Sequence, residues 1–247
     1  DPLKVSAVVL GEGAQRLVLA SVDICLMPDA LVRAAQEAAA ARTGIPARAI
    51  LYAATHTHVA PCTVPLVKTQ WADPDWLARL HTAMVEVVVA AVAKTEDCLL
   101  YRAEGWVAEM GYNRRGLHDG GKADMYWGSW RPNHEGIEGP RDGAVPVIAA
   151  KRADGTVKAL ITGFASHPNC VEGESFYSAD LPGAIRDFLR PHLGPAEIIY
   201  LTGAAGNTAP SVMVNNPSNQ QPWRGEVGLQ RCGTYIGSEI LKLVTGM

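Results

Sequence analysis

Two histidines stand one residue apart at the end of an apolar stretch. They are His56 and His58 in the sequence ILYAATHTHVAP, and a third, His167, follows the apolar stretch ALITGFAS. In an extended segment, side chains two residues apart point to the same side of the chain. Two such imidazoles can hold one cation together, or one can bind it while the other transfers protons. Three protein ligands with an open water position are typical of a catalytic zinc site, so the sequence predicts a Zn²⁺ centre.

Further polar residues follow other apolar stretches in the same way. Asp23 comes directly after LVLASV, and Asn207 lies in the glycine-rich turn GAAGN after IIYL. In open α/β sheets, sites form at the carboxyl ends of the strands, so we expect these residues at the rim that carries the histidines. Asp23 would cap its own turn or hydrogen-bond a metal-bound histidine. Asp180, in SADLPG, would cap a helix or face the site.

The sequence lacks the motifs that are typical of several other activities. The chain has neither GxGxxG nor GK[ST], so phosphate binding is not expected, and no GxSxG elbow marks a serine hydrolase. The turn GAAGN could instead bring backbone N–H groups to a reacting oxygen. The five cysteines are scattered without a CxxC pair, which argues against a disulfide scaffold and against a cysteine zinc site.

The elements that must position these residues alternate between strand and helix patterns. Apolar strands are predicted near residues 3–10, 16–23, 49–55 and 197–203, with a hairpin around Asp154-Gly155. Helices are predicted near residues 28–44, 73–93, 181–194 and 228–246. The apolar strands do not alternate with polar residues, which is typical of strands covered on both faces. The sequence therefore predicts an α/β fold: a mixed, largely parallel central sheet flanked by helices, with the site at the rim of strand C-terminal ends.

Length and composition fit one soluble globular domain over residues 1–247. Hydrophobic residues make up 48% and charged residues 19%, and the net charge is −3. No basic run predicts nucleic-acid binding, and no apolar stretch reaches the roughly 18 residues of a transmembrane segment. No signal sequence precedes Asp1 in these residues, and both cytoplasmic and secreted locations stay open. Two irregular segments, 113–145 and 207–226, are expected to be functional loops.

The motifs THTH, NRR, FASHPN, SADLPG and GAAGNTAP occur in one order along the chain. In this the sequence resembles the N-terminal catalytic domain of the neutral/alkaline ceramidases and their shorter bacterial relatives, over nearly its whole length. The resemblance implies a zinc-dependent amidase in which His56 and His167 bind zinc and His58 assists catalysis. It matches the family's Asn-Arg pair to Asn113 and Arg114, with the arginine facing the substrate or its developing oxyanion.

The same resemblance shows departures. The family's glycine turn continues into a serine that is its proposed nucleophile, and Ala209 occupies that place, flanked by Thr208 and Ser211. The family's other two zinc ligands, a Glu and a Tyr, come from sequence beyond residue 247, so the chain is expected to be an incomplete version of the family's domain. A zinc-activated water acting directly on an amide would need no serine.

Other functions stay open. A hydrolase of the same fold could act on a sugar or an ester, with Trp127, Trp130 and Arg131 stacking on a sugar, and His118 and His134 could contact the substrate. A non-catalytic metal-binding domain is the third interpretation. The expected partner is a small-molecule, lipid or glycan substrate, and self-association into a homo-oligomer is left open.

Overall fold

The computed structural model describes residues 2–65, 71–108, 110–210 and 223–247. The helices within these ranges are α1 (Asp29–Thr43), α2 (Pro74–Ala93), α3 (Asp180–Leu193) and α4 (Gly225–Thr245), with short 3₁₀ helices at Gly13–Gln15 and Ala47–Ala49. The longer strands are β1 (Val5–Leu10), β2 (Leu17–Val22), β3 (Ile50–Ala54), β4 (Leu99–Trp106), β9 (Ala144–Lys151), β10 (Val157–Phe164) and β11 (Glu197–Thr202). The shorter ones are β5 (Tyr112–Asn113), β6 (Arg115–His118), β7 (Lys122–Met125), β8 (His134–Ile137) and β12 (Thr208–Ala209).

Two stacked sheets form the centre of the fold. Sheet A has the strand order β1-β2-β3, and sheet B has the order β11-β10-β9-β4. A small apolar layer that includes Val8, Ile161 and Ile199 lies between them. Helices α1 and α2 pack on the outer face of sheet A, and α3 and α4 pack on the outer face of sheet B. The result is a four-layer arrangement of helices, sheet, sheet and helices.

The stacking explains why the apolar strands show no alternation. In β2, Val18, Ala20 and Val22 pack toward the helices of sheet A, whereas Leu19 faces sheet B. In β10, Leu160 packs toward the outer core and Ile161 toward sheet A. Both faces of these strands are therefore covered, one by helices and the other by a second sheet.

The predicted mixed α/β class is found, but the prediction of one largely parallel sheet is not. The parallel pairs among the described strands are β2 with β3 and β10 with β11, and the other pairs are antiparallel. The physical reason is the short connections: β1 reaches β2 through a tight turn, and β9 reaches β10 through the hairpin at Asp154-Gly155. Short turns can only join antiparallel neighbours.

Part of the segment expected to be irregular also has regular structure. Between residues 113 and 145, β6 pairs with β7 and β8 in a small sheet, and β5 pairs with β12. Glycine turns separate these short strands, which is why no periodicity marks them in the sequence. The second expected loop, 207–226, lies largely outside the described residues, and Ser211 lies outside them too.

Helix α2 is begun by Asp73, whose side chain accepts from the N–H groups of Asp75 and Trp76, with Pro74 at the first helical position. Among the described residues, α2 is also the one helix long and apolar enough to cross a membrane. Core helices meet the same criterion. The side chains of Leu80, Met84, Val85 and Val88 are buried against sheet A and α1.

Candidate metal centre

Three imidazoles converge where β3 and β10 end. The Nε2 atom of His56 lies 3.3 Å from Nε2 of His167 and 3.5 Å from Nε2 of His58. The rings meet edge to face, with centroids 4.9 to 5.3 Å apart. Two nitrogens bound to one tetrahedral zinc at about 2.0–2.1 Å lie about 3.3–3.4 Å from each other. Both distances from Nε2 of His56 therefore fit a zinc ion held between the imidazoles.

Each of these rings is fixed through its other nitrogen. Nδ1 of His56 bonds the carbonyl oxygen of Cys25 at 2.8 Å, and Nδ1 of His58 bonds a carboxylate oxygen of Glu172 at 2.7 Å. Nδ1 of His167 bonds the carbonyl oxygen of Ala205. A carbonyl or carboxylate oxygen can only accept, so each Nδ1 carries a proton and leaves Nε2 as an acceptor in the neutral ring. Three lone pairs aimed at one another are repulsive without a cation, and this orientation is typical of metal-ligating histidines.

The backbone brings the first two rings together in a different way from the one predicted. His56 has a φ of 69°, in the left-handed region, and β3 has already ended at Ala54. The segment is therefore turned at His56 rather than extended. A non-glycine residue in this region costs of order 1 kcal/mol or more, and such strain clusters at functional sites.

The electrostatic setting of His167 favours its neutral form. Burial lowers the pKa of His167 to about 4, and the charges of Arg114 and the neighbouring histidines act in the same direction. The hydrogen bond to Ala205 opposes the shift. A neutral imidazole is the form that binds a metal, so His167 is available as a ligand near neutral pH.

Arg114 lies beside this cluster. Its Nη2 atom is 3.2 Å from Nε2 of His167 and donates to the carbonyl oxygen of Gly206 at 2.8 Å, while Nη1 donates to the hydroxyl of Tyr126 at 3.0 Å. The guanidinium is buried, and its planar group is held on two sides. An always-charged donor in this position can stabilise an anionic oxygen close to the imidazoles.

Two of the predicted carboxylates lie in the framework around the site. Asp180 is fully buried at the start of α3, and its carboxylate accepts from the N–H groups of Cys170, Val171 and Leu181. It thereby holds the loop that carries His167. Burial raises the pKa of Asp180, and the three N–H groups oppose that rise. Asp23 instead forms a buried ion pair with Arg186 of α3.

The other predicted residues shape the turn that presents Arg114. The side chain of Asn113 accepts from the N–H of Arg115 at 2.9 Å, and the carbonyl oxygen of Asn207 accepts from the N–H of Arg114 at 2.7 Å. The hydroxyl of Thr208 donates to the carbonyl oxygen of Ala165 at 2.7 Å, so it is turned toward the backbone. Ala209 is buried and pairs with Tyr112 between β12 and β5.

Three residues at the site were not predicted from the sequence: Cys25, Tyr126 and Glu172. Partial burial raises the pKa of Glu172, but the hydrogen bond and charge of His58 outweigh it and the pKa lies below its ordinary value. Glu172 therefore stays ionised beside His58. Its position five residues after His167 was a usable signal, because a carboxylate near a ligand histidine is a common outer partner. Tyr126 lies in a different loop, and nothing in the sequence linked it to Arg114.

Cys25 offers an alternative ligand set with His56 and His58, since one donor atom from each lies within 4.8 Å of the others. The Cys25 sulfur, however, lies 3.7 Å from Nδ1 of His56, the nitrogen that already bonds a carbonyl oxygen. Burial also raises the pKa of the Cys25 thiol, which disfavours the thiolate that binds metals. The three-imidazole set is therefore the better fit.

Two aromatic side chains of segment 113–145, Trp127 and His118, are engaged with each other. The Trp127 ring stacks on His118 at 4.0 Å and also contacts the guanidinium of Arg131. Both ring nitrogens of His118 bond carboxylates, those of Asp119 and Asp124. Trp127 and His118 thus have partners within the small sheet, which leaves less ring surface free for a sugar.

Two solved structures have the same fold as this chain. The neutral ceramidase from Pseudomonas aeruginosa matches with a TM-score of 0.74 at 17% sequence identity, covering 95% of this chain and 37% of that one. A ceramidase complexed with C2 matches with a TM-score of 0.76 at 16% identity, covering 99% of this chain and 40% of that one. This chain therefore spans about two fifths of their length. No protein-family model and no curated protein matches the sequence. The neutral ceramidase fold predicted from the motifs is confirmed.

Proposed function

We propose that this chain is a zinc-dependent hydrolase that cleaves an amide bond. The observation that carries the proposal is the convergence of three Nε2 atoms at 3.3 and 3.5 Å, each ring held by an acceptor on Nδ1. The ceramidase fold supports the choice of an amide, because ceramidases hydrolyse amide bonds. At 16–17% sequence identity, the similarity to the ceramidases supports the fold only. The proposal of an amide substrate therefore depends on the geometry of the site.

His56, His58 and His167 would hold the zinc through Nε2. Zinc in such a site lowers the pKa of a bound water and polarises a carbonyl. Arg114 would then receive the developing negative charge on the reacting carbonyl oxygen through its Nη2–H. Glu172 would keep His58 in the tautomer that presents Nε2, and Cys25 and Ala205 would do the same for the other two rings through their carbonyl oxygens.

Ala209 stands where the ceramidases have the serine proposed as their nucleophile. Of the described residues at the place of the ceramidase serine, Ala209 has only a methyl group and the hydroxyl of Thr208 bonds the backbone, so neither offers a free alcohol. The proposed reaction therefore uses water directly. Asp180 and Asn113 are proposed as positioning residues for the His167 loop and the Arg114 turn, and Asn207 contributes its carbonyl oxygen to that turn. Asp23 is proposed to act through stability only.

Metal analysis tests the ligand set. We expect the purified protein to bind about one zinc per chain, and substitution of His56, His58 or His167 by alanine to weaken zinc binding far more than His81→Ala, a matched change in α2. The His58→Ala variant separates the two roles of that residue. If His58 is a ligand, zinc affinity falls; full zinc retention with loss of turnover would make it an acid–base group. A wild-type protein without metal affinity would overturn the proposal.

Hydrolysis assays test the reaction class. We expect zinc-loaded protein to cleave N-acyl amides in a panel that also contains matched esters and glycosides. The missing serine favours one second candidate, a metal-binding domain without catalysis. Zinc binding that depends on the three histidines, with no turnover of any member of the panel, would support that candidate instead.

A further inference from the structure

Strand β4 forms an open edge of sheet B. Among the described strands its one sheet neighbour is β9, in an antiparallel register that pairs Leu99 with Lys151 and Trp106 with Ala144. The N–H of Val107 continues this register by donating to Gly143. Since hydrogen-bonded pairs alternate along an antiparallel ladder, the odd-numbered residues of β4 bond to β9. The even-numbered residues direct their N–H and C=O groups away from β9, toward the edge.

The residues that point their backbone to this edge also form a regular side-chain series. In order they are Leu100, Arg102, Glu104 and Trp106, and all four are exposed. Leu100 is 61% exposed and Trp106 57%, high values for large apolar side chains within a strand. Among the described ion pairs, neither Arg102 nor Glu104 has a partner. An exposed edge of eight residues with apolar ends is a template for another strand.

We propose that this edge binds the same edge of a second copy of the chain, giving a symmetric dimer with one continuous antiparallel sheet. The two-fold axis would pass at Ala103. Arg102 of one copy would then lie opposite Glu104 of the other, and Leu100 opposite Trp106. By symmetry each pair occurs twice, as an isologous interface requires. Both pairs use residues whose backbone N–H and C=O groups point toward the edge.

The charges select this register over its neighbours. An antiparallel partner can slip only in steps that keep even residues opposite even residues, because the side-chain period is two. Moving the axis to Arg102 would place two arginines opposite each other, and moving it to Glu104 would oppose two glutamates. Like charges directly opposite are unfavourable, and opposite charges are favourable. The axis at Ala103 therefore combines two ion pairs with two apolar pairs.

Two further features concern the Trp106 end of the strand and the inner face of the sheet beside it. The carboxylate of Glu239 from α4 accepts from the N–H of Trp106 at 3.2 Å, so it competes with the outermost bond of the dimer. The central pairs of Arg102 with Glu104 do not involve that group. On the inner face, Ile148 of β9 is 37% exposed because sheet A does not extend over β9 and β4. Trp106 of a second copy, opposite Leu100, would add cover to this apolar strip.

Charge reversal combined with sedimentation velocity tests the dimer. We expect the wild type to shift from monomer to dimer as its concentration rises. Arg102→Glu and Glu104→Arg should each raise the dissociation constant at least about tenfold, because each opposes like charges twice. The double variant carrying both changes should dimerise like the wild type, since the pairing is restored with the signs exchanged. Lys122→Glu, an exposed reversal on β7, is the control and should leave association unchanged.

The sedimentation results can overturn either the dimer or its register. Monomeric wild type at every concentration would overturn the proposal, as would a dimer that the single reversals do not weaken. A double variant that stays as weak as the singles would overturn the Ala103 register. These positions are exposed, and circular dichroism will show that each variant is folded. The outcome does not depend on zinc or on hydrolysis.

Discussion

Arg114 gives the candidate site a positive charge on a planar guanidinium group. Its three donor contacts, two to the carbonyl oxygen of Gly206 and one to the hydroxyl of Tyr126, require a planar group of this shape. Lysine would bring the charge but only as a point donor on a flexible stem. The geometry of the guanidinium, rather than its charge alone, is therefore what presents a donor to a reacting oxygen.

The Arg114→Lys variant follows from this geometry. We expect kcat for amide hydrolysis to fall by about 10²–10³, the loss seen when one oxyanion donor is removed, with zinc content unchanged. Arg115→Lys is a matched control, since Arg115 pairs with Glu138 on the surface and should keep its activity. Normal kcat in Arg114→Lys, or a parallel loss in Arg115→Lys, would contradict the proposed role.

At this scale the sequence pointed to the three histidines and to Arg114, and the structure brings their side chains together, whereas Tyr126 could not be read from the sequence. The spacing of His56 and His58 indicated convergence, yet the convergence depends on a left-handed turn at His56. Glu172 and Tyr126 reach the site through loops whose paths are set by tertiary packing. The proposed chemical roles stay predictions until variants are measured.

Helices α3 and α4 pack closely because α4 carries glycines where they meet. A Cβ on Gly233 would lie 2.7 Å from the carbonyl oxygen of Ala184, too near for any real contact. Although alanine favours a helix by about 1 kcal/mol over glycine, we expect Gly233→Ala to lower the free energy of unfolding by about 1–3 kcal/mol through overpacking. Urea denaturation measures this.

Ser238→Ala, on the exposed side of the same helix, is the control for that change. It raises helix propensity without a clash and should alter the free energy of unfolding by less than about 0.5 kcal/mol. If Gly233→Ala instead raised the free energy of unfolding, the contact between α3 and α4 would have room for a methyl group. That result would contradict the predicted overpacking. Neither variant changes a residue of the candidate metal site, so metal content should stay constant.

Element types were more predictable than their arrangement. The long helices and the apolar strands follow from capping residues, glycine stops and apolar runs, as at Asp73 and Gly44. Doubly covered strands suggested parallel pairing, but a second sheet covers β2 and β10 just as helices would. Strand β4 escaped prediction because its charged and apolar residues belong to an open edge. Only the whole arrangement distinguishes these cases.

On the scale of the whole molecule, one buried ion pair connects the end of a strand of sheet A with helix α3 at the rim that holds the candidate site. Asp23 follows β2 of sheet A, and Arg186 belongs to α3 over sheet B. Nη1 and Nη2 donate to the two carboxylate oxygens at 3.2 and 2.5 Å, and both side chains are almost fully buried. Buried charges are expensive unless paired, so each residue depends on the other.

A comparison of single and paired substitutions shows how the two halves depend on this link. Asp23→Ala leaves the Arg186 charge buried without its partner, so we expect the free energy of unfolding to fall by about 3–5 kcal/mol. Replacing both residues, as Asp23→Leu with Arg186→Met, removes the charge together with its desolvation cost and should recover most of that loss. Chemical denaturation of the zinc-loaded proteins measures both. A single variant as stable as the wild type, or a double variant no better than the single, would show that the stacked sheets are held by their apolar layers alone.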